Sequence, residues 1–147
     1  MTPLSLRALV HLHGHLGWLS ALALAHPALM LRRPRRRVLT VAAAATALVT
    51  VAGAFGALVY PAYRVQMKPA LLASAPLAAN LFERKEHLGV FAVVLAWAGL
   101  AFCALAAHRG DDQREITRAA FVAYTAAAAA ALVSAAAGTW VGIQRSF

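Results

Sequence analysis

Residues 38–60 read VLTVAAAATALVTVAGAFGALVY, twenty-three residues without a charge, and this stretch decides the fold. A hydrocarbon core about 30 Å thick is crossed by about 20 helical residues rising 1.5 Å each. Three further apolar blocks flank it, at about Leu6 to Leu31, His87 to Ala107 and Ala119 to Ile143, each bounded by charge. With 62% hydrophobic and 13% charged residues over 147 positions, the composition lies outside the range of a soluble domain. The expected fold is all-α: one integral membrane four-helix bundle over residues 1–147, with helices at about 6–31, 38–60, 87–107 and 119–143. The connections are too short to hold a second core.

The net charge of +9 would point to nucleic acid in a soluble chain. Here its densest part, Arg32, Arg33, Arg35, Arg36 and Arg37, lies directly between two apolar blocks, which is a topology signal and excludes the nucleic-acid reading. Placing that loop and the His108–Arg118 loop in the cytoplasm puts eight Lys and Arg inside (32, 33, 35, 36, 37, 109, 114, 118). Six remain outside (7, 64, 68, 84, 85, 145). Both termini are then outside, as is the long loop between helices 2 and 3. Arg7, the apolar stretch after it and Ala23-x-Ala25 also outline a signal peptide, but the histidines within it and the arginines behind it speak for a retained helix.

Pro27 removes the hydrogen bond to the Ala23 carbonyl and predicts a kink beside His26. Gly53 and Gly56 in the second block, and the runs Ala126 to Ala131 and Ala135 to Gly138 in the fourth, mark close helix packing and leave room for a flat ligand. Cys103 is the sole cysteine, so an intrachain disulfide and a Cys-x-x-Cys motif are excluded. The segment Pro61 to Lys85 mixes three prolines with Tyr60, Tyr63, Arg64, Lys68 and Phe82. It is expected to fold over the outer mouth of the bundle, with a short interfacial helix around Ala70 to Leu81 and the tyrosines as headgroup anchors.

The candidate chemistry is carried by histidine. At about 100° per residue, His11, His15 and His26 fall within roughly 60° of one another on one face of the first helix, and His13 points away from them. Ionisable residues in a membrane helix are rare and usually face a bundle interior or a cofactor. In the third helix Glu83 and His87 share a face beside Glu86, at the same membrane level as His11 and His15. One reading is a haem b with axial imidazoles from His15 and His87, His11 standing in for His15, and propionates paired with Arg64, Lys68, Arg84 or Lys85. It requires the first and third helices to meet. His26 lies about 16 Å below His15, and His108 about 31 Å below His87, so these two are not level and a second haem is hard to build. His26 is left as a separate polar site.

A second reading assembles His11, His15, Glu83 and His87, with Glu86 behind them, into a zinc, iron or copper site. The plain alternative makes all of these interfacial groups and the chain a non-catalytic subunit or scaffold of a membrane complex. Ser20 and Ser134 read as packing hydroxyls, and no acid, base and nucleophile set is assembled. The expected role is electron transfer, with a quinone in the bilayer or a redox protein as partner. The stretch Tyr60-Pro61, Tyr63-Arg64, Lys68, Pro76 and Leu81-Phe82-Glu83-Arg84-Lys85-Glu86-His87-Leu88 resembles small bacterial four-helix inner-membrane proteins whose first helix bears histidines. That resemblance implies a bacterial inner-membrane location and carries no activity or ligand with it.

Overall fold

The computed structural model describes residues 3–32, 37–108 and 114–144. Four long helices dominate it: α1 (Pro3–Leu31), α2 (Val38–Ala62), α4 (Pro76–His108) and α5 (Arg114–Gln144). Between α2 and α4 the chain is helical almost throughout, as a π-helical turn (Tyr63–Met67) followed by the short α3 (Lys68–Ser74). The expected loop is therefore a helical connector, and the third long helix begins at Pro76, well before His87. Prolines set these boundaries. Pro69 sits in the first turn of α3 and Pro76 opens α4, where a missing N–H costs nothing. Ala75, the residue before a proline, is pushed out of the helical region to φ −150°, ψ 69°.

The helices run up, down, up, down. α1 packs on α2 and α5, and α4 packs on the same two, so α1 and α4 stand diagonally across the bundle. The contact between first and third helices that the two-imidazole reading requires is replaced by a shared interior. Sequential antiparallel hairpins pack neighbour on neighbour, and this forces the first and third members to opposite corners.

All four long helices are long and apolar enough to cross a membrane, within Leu6–Leu31, Val38–Ser74, Pro76–His108 and Arg114–Gln144. Large aliphatic and aromatic side chains face outward, among them Leu22, Leu29, Leu58, Val90 and Phe91. The interior is Ala42, Ala45, Ala92, Ala96, Ala120, Ala127 and their like. Water would penalise so large an apolar exterior, whereas lipid accepts it and small interior residues let the helices approach. This distribution fits a multi-pass membrane protein.

The half of the bundle nearer Arg32 and Arg37 is closed. Buried Tyr124 donates to the Ala42 carbonyl (3.1 Å). The single Thr46 hydroxyl proton is shared between the Tyr124 oxygen (2.9 Å) and the Ala96 carbonyl (3.3 Å). Gly99 makes room for the Tyr124 ring. Three helices are thus joined through hydrogen bonds that nothing in hydrocarbon would replace. The other half, at the connector end, is hollow.

Candidate functional site at the connector end

Seven of the nine glycines in the chain line one cavity of about 570 Å³: Gly14 and Gly17 on α1, Gly53 and Gly56 on α2, Gly89 on α4, Gly138 and Gly142 on α5. A helix surface without side chains is flat: Gly14 and Gly142 border open space, whereas Gly53, Gly56 and Gly138 take the side chains of Val93, His13 and Lys85 against their backbones. The remaining walls are mainly apolar, including Val49, Val59, Ala92, Ala131 and Val141. The connector roofs the cavity with Tyr63, Met67 and Leu71, spaced four apart on one buried face. The π-turn sets that face: the Lys68 N–H reaches back five residues to the Tyr63 carbonyl, and such turns are frequent at functional sites.

Into this apolar space project a few polar groups. Lys85 is only 6% exposed. Its ammonium pairs with Glu86 and lies 4.2 Å from the centre of the Phe82 ring, so charge pairing and the ring face offset part of its desolvation. Its stem runs past Gly138, and Ser134 on α5 donates to the Lys85 carbonyl (3.1 Å). Tyr63 is 2% exposed and stacks on Phe82 at 11°. Its hydroxyl is buried without a hydrogen-bond partner, a condition worth about 1 to 3 kcal/mol of desolvation. His13 is half-buried. Its Nδ1 donates to the Ala52 carbonyl (3.0 Å), its ring lies against Gly56, and it is within electrostatic reach of both Lys85 and Glu86. At the wall between α1 and α5, Trp18 donates from Nε1 to Thr139 (3.1 Å).

The residues singled out in the sequence divide around this cavity. His11 and His15 are exposed and stand at its rim, while Glu86 and Lys85 line it. His87 is exposed, is not on its walls and gives Nδ1 to the Glu83 carbonyl of its own helix (2.9 Å). His26 is exposed on the far half of α1, and His108 likewise bonds back to its own helix at Ala104 (2.7 Å). Glu83 pairs with Lys68 (2.9 Å) and takes the Tyr60 hydroxyl at 3.5 Å, fastening connector to α4. Arg64 and Arg84 are exposed. Among the described residues no three His, Cys, Asp or Glu side chains gather as donors for a metal ion.

Of the first-helix histidines, then, the one that enters the interior is His13, read from the sequence as pointing away. The stripe His15, Leu19, Leu22, His26, Leu29 is exposed throughout, whereas His13, Gly17, Ser20, Leu24 and Ala28 form the inward face. The signal was available: in lipid the inward face of a helix carries the small residues, and Gly17, Ser20 and Ala28 line up with His13.

Fold and cavity together define the class, a helical membrane-type bundle with a glycine-walled internal site. The chain matches no family model, no curated protein and no solved structure.

Proposed function

We propose that this chain is a multi-pass inner-membrane protein that binds a flat, mostly apolar redox ligand in the connector-end cavity and serves electron transfer. The observation that carries the reading is the convergence of seven glycines on one mainly apolar cavity lined also by His13, Lys85 and Tyr63. Of these glycines, Gly14 and Gly142 face open space, while Gly53, Gly56 and Gly138 take the side chains of Val93, His13 and Lys85 against their backbones. The volume is within the 300 to 1,000 Å³ typical of ligand sites, and apolar walls with a few convergent polar groups are their usual lining. In the bilayer, the connector and both termini face outward, because the arginine run at the other end favours the cytoplasm.

A haem b in this cavity would find imidazoles from α1 alone, those of His11, His13 and His15, and a propionate partner in Lys85. His87, the second imidazole expected from the sequence, is not on the walls. This weighs toward a ligand held by hydrogen bonds rather than between two imidazoles.

The test uses Trp18, which lines the cavity, as the sole tryptophan in a Trp97→Phe, Trp140→Phe background. Duroquinone or haemin added to the protein in nanodiscs is expected to quench it saturably. Gly17→Leu fills the cavity from a position where a new Cβ meets only Ala135 at 3.9 Å, and is expected to abolish the quenching. No saturable quenching by either probe would refute a flat-ligand site.

A further inference from the structure

We propose that the outward face of α1 pairs with α1 of a second copy of this chain, with His15 and His26 each hydrogen-bonded to its own counterpart across the seam. The pairing concerns the outer surface of the bundle and does not rest on a ligand in the cavity.

Along α1, Ala8, Leu12, His15, Leu19, Leu22, His26 and Leu29 recur at alternating steps of four and three. Every one is exposed, Leu22 and Leu29 to 70% and 62%. Steps of four and three average 3.5 residues, the period of a seam between two helices in a left-handed supercoil. Lipid alone asks only that such a stripe be apolar, yet two of its members are histidine. Among the described residues neither has a hydrogen-bond or charged partner within the chain, whereas His13, His87 and His108 each bond to a backbone carbonyl. His15 also stands at the cavity rim; His26, about 16 Å further along the helix, is not on the cavity walls. The other three spans contain no Asp, Glu, Lys, Arg or His between residues 38 and 60, 88 and 107, or 119 and 143. An imidazole turned to hydrocarbon is costly, so this face of α1 differs from the rest of the exterior and needs a polar partner.

A second copy is the partner that fits. Copies inserted in one orientation meet α1 to α1 as parallel helices about a two-fold axis along the membrane normal, and such an interface is self-complementary. In a parallel heptad seam each layer holds the same residue from both helices, so the imidazoles of His15 meet in one layer and those of His26 in another. A neutral imidazole has one N–H and one bare ring nitrogen, and therefore donates to or accepts from a ring of its own kind. The same axis satisfies both levels at once, with Leu19 and Leu22 packed in the layers between them. An unrelated partner would have to bring polar groups at two levels about 16 Å apart; a second copy carries them by construction.

Disulfide trapping in a Cys103→Ala background tests the seam. Leu22→Cys places a thiol in a layer where the two helices approach within disulfide reach. Leu58→Cys on α2 and Val90→Cys on α4 are comparably exposed, at 62% and 65%, and lie off the seam. Copper-phenanthroline oxidation of native membranes is expected to link Leu22→Cys into a dimer at least about tenfold faster than either control. Equal rates at all three positions, an adduct with another protein in place of the dimer, or no adduct at Leu22→Cys overturns the second copy as partner. The imidazoles are tested without a crosslink, from the monomer–dimer equilibrium of the fluorescently labelled full chain in liposomes. His26→Leu keeps the seam apolar and is expected to weaken dimerisation about three- to tenfold, the range for a hydrogen bond between membrane helices. His26→Gln, which again offers a donor and an acceptor, is expected to restore it to within about twofold. Dimerisation of His26→Leu as tight as that of the unchanged chain overturns the imidazole pairing. Each of these failures leaves the flat-ligand reading of the cavity where it was.

Discussion

Gly99 and Gly56 present the same steric problem with opposite consequences. A Cβ on either would stand 2.8 Å from a ring, that of Tyr124 for Gly99 and that of His13 for Gly56. Tyr124 is fully buried and pinned by its hydroxyl to Ala42 and Thr46, so its ring has nowhere to go. Gly99→Ala is expected to lower stability by about 1 to 3 kcal/mol, the usual range for overpacking, read by chemical denaturation in detergent. His13 is half-buried and held by one hydrogen bond, and the atom nearest the new methyl is the far edge of its ring. Gly56→Ala is expected to leave stability within about 1 kcal/mol, since one hydrogen bond is at stake, while swinging His13 off Ala52. The readout is reduced duroquinone affinity without a shift of the denaturation midpoint; a midpoint shift as large as that of Gly99→Ala would show His13 to be as fixed as Tyr124.

Among elements, the connector is held to α4 by two kinds of contact. The Lys68–Glu83 pair is about one-third exposed on each side, and pairs of that kind contribute about 0 to 1 kcal/mol. Tyr63, Met67 and Leu71 bury an apolar face beneath it. Lys68→Met is therefore expected to leave global stability nearly unchanged and to speed hydrogen exchange at Tyr63–Ser74 only. Exchange that stays unchanged there would assign the fastening wholly to the apolar face. This element also marks how far the sequence could be read. Pro69 and Pro76 announced interruptions, and the basic and aromatic residues announced an interface. The π-turn was not legible, because it depends on one carbonyl finding its donor five residues on instead of four. That single shift puts Tyr63 inside the roof rather than at headgroup level. The four long helices were legible because length and apolarity alone specify them, but their arrangement was not. His15 and His87 share a level, yet α1 and α4 occupy opposite corners, and a helix periodicity contains no statement about which corner a helix takes. Lys85 shows the same limit: beside Arg84 it reads as a headgroup contact, and only the approach of Gly138 on α5 gives its stem a way inward.

For the whole molecule, the distribution of small residues inside and large apolar ones outside fits a lipid solvent, and charge gives an expected orientation. At one end the chain places Arg32, Arg33, Arg35, Arg36 and Arg37 within six positions. At the other, two of the basic residues are neutralised, Lys68 by Glu83 and Lys85 by Glu86. These ion pairs leave the expected orientation as it was, since it follows the Lys and Arg beside the apolar segments rather than net charge. The orientation can be read because Cys103 is the only cysteine and is buried. In a Cys103→Ala background, Ser74→Cys in the connector and Arg37→Cys at the start of α2 each place one thiol at an exposed position. A membrane-impermeant maleimide is expected to label Ser74→Cys on intact cells and Arg37→Cys only after permeabilisation. The reverse pattern would invert the bundle and put the connector-end cavity on the cytoplasmic side; labelling of both on intact cells would mean that the four helices do not hold a membrane between them.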